Sequence, residues 1–384
     1  MSLRVCQFAF IGSDNLGDEA IFEAVHSAIQ SFDPERVTVL SMSPERTRRL
    51  ALKPNTRVLS ARSLVDTLQA IRDSDVFVCG GGGLFQDHTS IYNPLRYLSR
   101  VLAAVALGKR VFIYAVSVGP LENPLNRRLT REILSRAHCV TVRDSGSKRL
   151  LVELGVPEHL VFVTSDPVVN HEAHAAPAGS AERRIVVCLR HWFDTVPWLP
   201  VSVVNALGLR SRENTQLYDH FIGELAKTLD ALYERKKTPL LFVPFWHPRD
   251  TRVHHDVVER MRFKEHATVI DRNLAPDEAG ALIASAEFVV AMRLHSLILA
   301  VAAKRPFFAL DYSKKVHDFL EEVVPGQSER VSASPEKLSA QAVSDKLAAL
   351  DGAWPFGPPY EAAVDALKLR ERENIELLGK LMRG

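Results

Sequence analysis

The chain has 384 residues, and at roughly 150 residues per domain that length points to two globular domains rather than one core. Lysine and arginine total 48 against 46 acidic residues, and this formal charge of +2, without long single-sign blocks, leaves no electrostatic footprint for nucleic acid. Apolar residues at 46% and charged residues at 24% exclude disorder and collagen-like repeats.

In chain order, short β-branched runs alternate with longer amphipathic stretches, the pattern of parallel strands joined by crossover helices. The opening Met1–Gly12 has one basic residue and no small-residue cleavage site, so it reads as a first strand rather than a signal peptide, and a cytoplasmic protein is expected. Strands are predicted at Arg4–Ile11, Arg36–Ser41, Val76–Cys79, Arg110–Val116, His138–Val142 and Leu160–Val163. The apolar run Val101–Leu107 is far short of the roughly 20 residues of a bilayer-spanning helix. Periodicity lapses over Glu172–Glu182, which reads as a linker. It resumes with strands at Ile185–Leu189, Pro239–Val243, Thr268–Ile270, Phe288–Ala291 and Pro306–Leu310, with a helix over Glu213–Arg235. A last amphipathic segment, Tyr360–Met382, follows the Pro355–Pro359 turn. The expected architecture is therefore α/β, with two Rossmann-like doubly wound domains over 1–176 and 183–352. Residues 353–384 form a C-terminal helix that packs back on the first domain. Cys6, Cys79, Cys139 and Cys188 lie far apart in apolar runs and read as reduced core residues, with no zinc framework and no metal site.

Ligands of doubly wound sheets bind at the carboxyl ends of the strands, so polar residues there carry the most information. After the first strand, Gly12-Ser13-Asp14-Asn15-Leu16-Gly17-Asp18-Glu19-Ala20 bounds a turn with glycine but places carboxylates where a phosphate loop would place lysine. Asp18 and Glu19 suit sugar hydroxyls or a plain helix cap, and Asn15 is equally ambiguous. The run Gly80–Gly83, followed by Asp87, is expected at a strand-to-helix turn that lets a ligand approach helix amides, the alternative being a ligand-free tight crossing. Asp87 either deprotonates a hydroxyl or caps a turn. Arg190 ends a strand, implying an anionic ligand or an interdomain ion pair. His247 and Asp250 are candidates at the end of another strand, with a structural histidine as the alternative. The sharpest signal is Arg293-Leu294-His295-Ser296, where guanidinium, imidazole, hydroxyl and helix amides meet as a receptor for phosphate or carboxylate. Lys314 and Lys315, after the next strand in Asp311-Tyr312-Ser313-Lys314-Lys315, either add a lysine to the same pocket or, as the plainer reading, form a solvated basic helix start.

Taken in order, Gly12–Ala20, Gly80–Gly83 with Asp87, Val142-Arg143-Asp144 with Ser147, Ser165-Asp166-Pro167, and Arg293–Ser296 resemble the polysaccharide pyruvyl transferase family across residues 3 to 320. The resemblance implies a GT-B-like fold with its two halves facing a cleft. It also implies transfer of a pyruvyl group from phosphoenolpyruvate to two hydroxyls of a sugar, as a cyclic ketal with release of phosphate. Arg190, Arg293 and His295 match positions the family uses around the donor. Ser296 and His247 are added to that donor set. Asn15, Gly17, Asp18, Glu19, Gly81, Gly82, Gly83 and Asp87 form the expected acceptor side, with Trp192 and the 191–212 stretch shaping it. His295 with Arg293 is the expected acid and anion receptor, and Asp87 or Asp18 the base. Replacing Arg293 by alanine is expected to abolish turnover and spare the fold. No cofactor is expected, phosphoenolpyruvate being a co-substrate, and the partner is a sugar or a lipid-linked saccharide. A lipid-linked acceptor would bring the protein to the inner face of the cell membrane. The alternatives are a GT-B glycosyltransferase or sugar-nucleotide epimerase, and a non-catalytic glycan or anion binding protein. Oligomeric state is not legible in the sequence.

Overall fold

The computed structural model describes residues 3–50, 52–88, 90–170, 183–191, 207, 211–350 and 357–384. The expected linker over 172–182 and Trp192 lie outside the described residues.

Two sheets carry the chain, and every pairing in them is parallel. The first contains β1 (Arg4–Phe8), β2 (Arg36–Ser41), β3 (Thr56–Ser60), β4 (Val76–Phe85), β5 (Arg110–Val118), β6 (Cys139–Val142) and β7 (Val161–Val163). Between them run α1 (Leu16–Gln30), α2 (Pro44–Thr47), α3 (Leu64–Arg72), α4 (Asn93–Ala106), α5 (Pro124–Leu134) and α6 (Ser145–Leu154). The second sheet contains β8 (Ile185–Cys188), β9 (Leu240–Phe242), β10 (Ala267–Val269), β11 (Phe288–Ala291), β12 (Phe307–Leu310) and β13 (Ser332–Ala333). Its helices are α7 (Arg212–Lys236), α8 (Arg249–Arg260), α9 (Pro276–Ala284), α10 (Leu294–Ala302), α11 (Lys314–Val323) and α12 (Ala340–Leu350), and the chain ends in α13 (Pro358–Arg383).

Strands this apolar must be covered on both faces, and crossover helices do that only in parallel sheets. β11 and β12 are buried along their whole lengths. The strand orders are β3-β2-β1-β4-β5-β6-β7 and β10-β9-β8-β11-β12-β13. In each, the chain winds outward one way from a central strand and then crosses to the other side. The first sheet therefore reverses between β1 and β4, the second between β8 and β11. Beside each reversal the connecting helices leave on opposite faces and open a crevice at the carboxyl ends.

By internal packing the chain divides into one unit of residues 1–13, 18–171 and 367–384, and a second of 14–17 and 172–366. The share of α13 in the first unit is fixed by polar pairs as well as by burial of Leu367, Leu378 and Met382. Ser165 donates to the Leu367 carbonyl at 2.6 Å, Thr164 to Asn374 at 2.8 Å, and Asn170 to Glu371 at 2.5 Å. All four cysteines are buried and free. Among the described residues no helix is long and apolar enough to cross a membrane.

The glycine run departs from expectation. Gly80–Gly83 do not open a helix; they lie inside β4, and α4 begins only at Asn93. A Cβ on Gly80 would stand 2.1 Å from the Tyr114 carbonyl oxygen, and Gly80 has φ +146°. The run lets β4 close on β5, with Gly80 opposite Tyr114 and Gly82 opposite Val116.

Candidate active site

In the first unit, the reversal between β1 and β4 gathers carboxylates. α1 starts with Asp18 and Glu19 in its first turn, where the helix dipole favours negative charge. Asp18 is half-buried, and its Oδ1 lies 3.4 Å from the place a Cβ on Gly82 would occupy, so the carboxylate stands against the glycine strand. Glu19 is buried and accepts from the Ser13 amide at 2.8 Å. Burial lifts its carboxyl from 4.5 to about 7; the Asp18 charge adds to the rise, while the Ser13 and Gly12 amides oppose it.

Asp87, from the end of the same strand, is spent on the fold. Its carboxylate accepts from the amides of Glu122 and Asn123, both at 2.9 Å, and from the Asn126 side chain at 3.2 Å. Burial alone would raise its pKa, but these donors outweigh burial and hold it below the usual carboxylate value. The Arg143-Asp144 and Ser165-Asp166 motifs likewise build an internal network. Arg143 pairs with Asp166 at 2.5 Å and donates to Ser117 at 2.6 Å, while Asp144 caps α6 through the Ser147 amide at 2.7 Å.

In the second unit, arginines follow β8 and β11, and residues that follow β9 and β12 partner them. Arg293 follows β11, and its Nε donates to Asp250 Oδ2 at 3.0 Å while a terminal nitrogen donates to Asp250 Oδ1. Asp250, near the start of α8, is fully buried and also accepts from the amides of Phe245 at 3.1 Å and Trp246 at 2.8 Å. The fork is thereby held in one orientation, with its centre 5.8 Å from that of the Trp246 ring. Arg190, after β8, donates to the Tyr312 hydroxyl, after β12, at 2.7 Å. Because β8 pairs with β11 and β11 with β12, this contact spans the carboxyl end of the intervening strand.

His295 stands in the first turn of α10. Residues 14–17 group with this unit: the Leu16 amide donates to the Phe245 carbonyl at 2.8 Å, and Asn15 Oδ1 accepts from the Gly17 amide at 3.1 Å. Gly17 touches the His295 ring so closely that a Cβ there would fall 2.1 Å from Nδ1. Asp18 is the next residue in the chain.

Two members of the expected donor set engage neighbours within the second unit. Ser296 is fully buried and donates to the Arg293 carbonyl at 2.7 Å, and His247 Nδ1 lies 3.1 Å from the Thr251 hydroxyl. Lys314 is paired with Asp318 at 2.6 Å on the surface, as the solvated reading expects. Sequence reasoning missed Tyr312 and Trp246 as partners of the arginines; the signal for Tyr312 was its place directly after a strand that ends beside β11. It also missed His254, which is fully buried on the inner side of α8 and accepts from the Leu189 amide at 3.3 Å. Burial holds His254 down at about 4, so it supports the residue before Arg190 as a neutral ring.

Residues 15–314 match the model of the polysaccharide pyruvyl transferase family. The chain belongs to that family. A curated relative is the amylovoran biosynthesis protein AmsJ of Erwinia amylovora, 22% identical over 257 residues, 64% of this chain. The aligned part spans 58% of the length of AmsJ. Among solved structures, the UDP-GlcNAc 2-epimerase of Neisseria meningitidis bound to UDP-GlcNAc superposes with a TM-score of 0.62 at 10% identity, covering 98% of this chain and 100% of that one. The UDP-GlcNAc 2-epimerase of Methanocaldococcus jannaschii gives 0.60 at 13% identity with both chains fully covered. These likenesses establish the fold, two GT-B-like α/β domains, and nothing about chemistry.

Proposed function

We propose that the protein transfers a pyruvyl group from phosphoenolpyruvate onto two hydroxyls of one sugar unit in a polysaccharide or its lipid-linked precursor, leaving a pyruvate ketal and phosphate. The observation that carries the reading is the pair of arginines at the β8/β11 reversal, Arg190 and an Arg293 fork oriented by buried Asp250, with His295 in the first turn of the helix that follows β11. Phosphoenolpyruvate brings about three negative charges at neutral pH, a phosphate and a carboxylate, and such a molecule needs several fixed cations.

The chemistry balances as follows. His295 delivers a proton to the methylene carbon, which becomes methyl, and the central carbon gains cationic character. A sugar hydroxyl adds there and loses its proton to a carboxylate. The bond from that carbon to the phosphate oxygen breaks, and the neighbouring hydroxyl forms the second C–O bond. Of the two hydroxyl protons, one balances the new methyl group and the other leaves with phosphate. We assign the base to Asp18, which stands beside Gly82 in the first turn of α1. Arg190 and Arg293 offset part of the donor's negative charge.

Phosphate release from phosphoenolpyruvate over a panel of free and lipid-linked saccharides, with mass spectrometry of the product, tests the reading. The expected product is heavier than its acceptor by one pyruvyl ketal; phosphate release only without acceptor, or none with any, sinks it. Arg190→Ala is expected to lose one charge-assisted contact, raising the half-saturating phosphoenolpyruvate roughly 10- to 150-fold while stability is kept. Asp18→Asn is expected to lower turnover by about 10²- to 10⁴-fold with donor binding unchanged. An active Asp18→Asn would move the base elsewhere.

A further inference from the structure

The second unit carries a pocket whose lining the proposed pyruvyl chemistry does not use. A pocket of about 450 Å³ opens where β8, β9 and β10 end, on the side of β8 away from β11. His191 enters it after β8, Arg249, Arg252 and His255 from α8, and Asp271 after β10. The spacing explains the lining. On α8, Asp250, Val253, His254 and Val257 are buried, and Arg249, Arg252 and His255, three residues apart, repeat along an exposed face. Two guanidiniums and two imidazoles thus face one carboxylate, beside the first turn of a 12-residue helix whose dipole adds positive potential.

The volume falls inside the range of about 300–1,000 Å³ that holds organic ligands, and is larger than a lone ion needs. Arg249 lies with its centre 4.5 Å from the Trp246 ring, the same ring that Arg293 approaches at 5.8 Å, so one aromatic ring stands by both arginines. We propose that this pocket binds the diphosphate group of a small organic molecule, separately from the anion held by Arg190 and Arg293. Two forked cations one helical turn apart match two linked phosphates better than a single carboxylate.

Binding alone reads this, so the outcome does not depend on turnover of phosphoenolpyruvate. In calorimetric titration of the full chain with inorganic pyrophosphate, Arg249→Ala and Arg252→Ala, both at exposed positions, each weaken by about tenfold a binding event that Arg190→Ala retains. Asp271→Asn removes an opposing charge and tightens the same event by about twofold to threefold. Absence of pyrophosphate binding, equal affinity in the parent and both α8 variants, or loss of the event in Arg190→Ala would each overturn the proposal. Parallel titrations with ADP and with geranyl diphosphate separate a nucleoside from a lipid source. A gain of about tenfold over pyrophosphate for either identifies the organic part, and equal affinity for all three supports a pocket that reads the diphosphate alone.

Discussion

The two sheets reverse strand order in the same way and place opposite chemistry at the reversal. Beside β1 and β4 stand Asp18, Glu19 and a glycine strand; beside β8 and β11 stand Arg190, Arg293 and His295. The way charge is held differs too. Glu19 is buried against amides and a neighbouring carboxylate, so its proton stays on to about pH 7. Arg293 is buried against a carboxylate that four donors surround, so its charge is fixed. One topology thus carries a carboxylate pair at one reversal and two arginines at the other, and strand-end residues rather than fold decide which. This is also why epimerases at 10% and 13% identity share the architecture without defining the reaction.

The sharpest blow to the contrast is removal of the fixed carboxylate. Asp250→Ala leaves the Arg293 guanidinium, whose side chain is 11% exposed, without its partner and strips the Phe245 and Trp246 amides of theirs. Breaking a buried pair costs about 3–5 kcal/mol, which urea denaturation would measure directly. A loss under about 1 kcal/mol would mean the pair is solvated and Arg293 is not held. The same geometry revises the expectation for Arg293→Ala: it leaves fully buried Asp250 unpaired, so a fall in stability accompanies any fall in turnover.

How much of this was legible follows from the range of the interactions. β2 and β11 coincide with the predicted Arg36–Ser41 and Phe288–Ala291 because each is a local apolar run. β3 went unread, being a short strand with one buried residue in Thr56–Ser60, and β13 has only two residues. The glycine run was misread as a turn because glycine carries no hydrophobic period, and what makes it a strand is the Tyr114 carbonyl of β5. Arg293, Asp250 and Arg190 were each visible at strand ends. Their pairings were not, since Arg293 meets Asp250 across 43 residues and Arg190 meets Tyr312 across 122. The donors to Asp87 were hidden for the same reason, since Glu122, Asn123 and Asn126 lie 35, 36 and 39 residues farther on.

The first crevice is probed through Glu19. Its folded pKa of about 7 lies above the unfolded 4.5, so between these values the folded chain holds a proton that the unfolded chain has released. Stability therefore falls as pH rises across that window, by about 3 kcal/mol once pH exceeds 7. Glu19→Gln keeps an acceptor for the Ser13 amide and removes the titration. Its unfolding free energy should exceed that of the parent at pH 8 and converge with it near pH 4. A difference of the same size at both pH values would show that the effect is packing and not proton linkage.

The gentlest test falls where Gly17 meets His295. A methyl at position 17 would stand 2.1 Å from Nδ1 and 2.6 Å from Cγ, closer than atoms approach, so the ring must move. Overpacking of this kind costs about 1–3 kcal/mol, against a gain below about 1 kcal/mol from replacing glycine by alanine in a helix. Gly17→Ala should therefore lose a small amount of stability and a larger share of phosphate release, because the displaced imidazole is the proposed acid. His295→Ala removes the ring that clashes. In the double variant the stability cost of Gly17→Ala should vanish, and a cycle of the four proteins reads that coupling. Additive costs would place the two side chains apart and separate Gly17 from the acid.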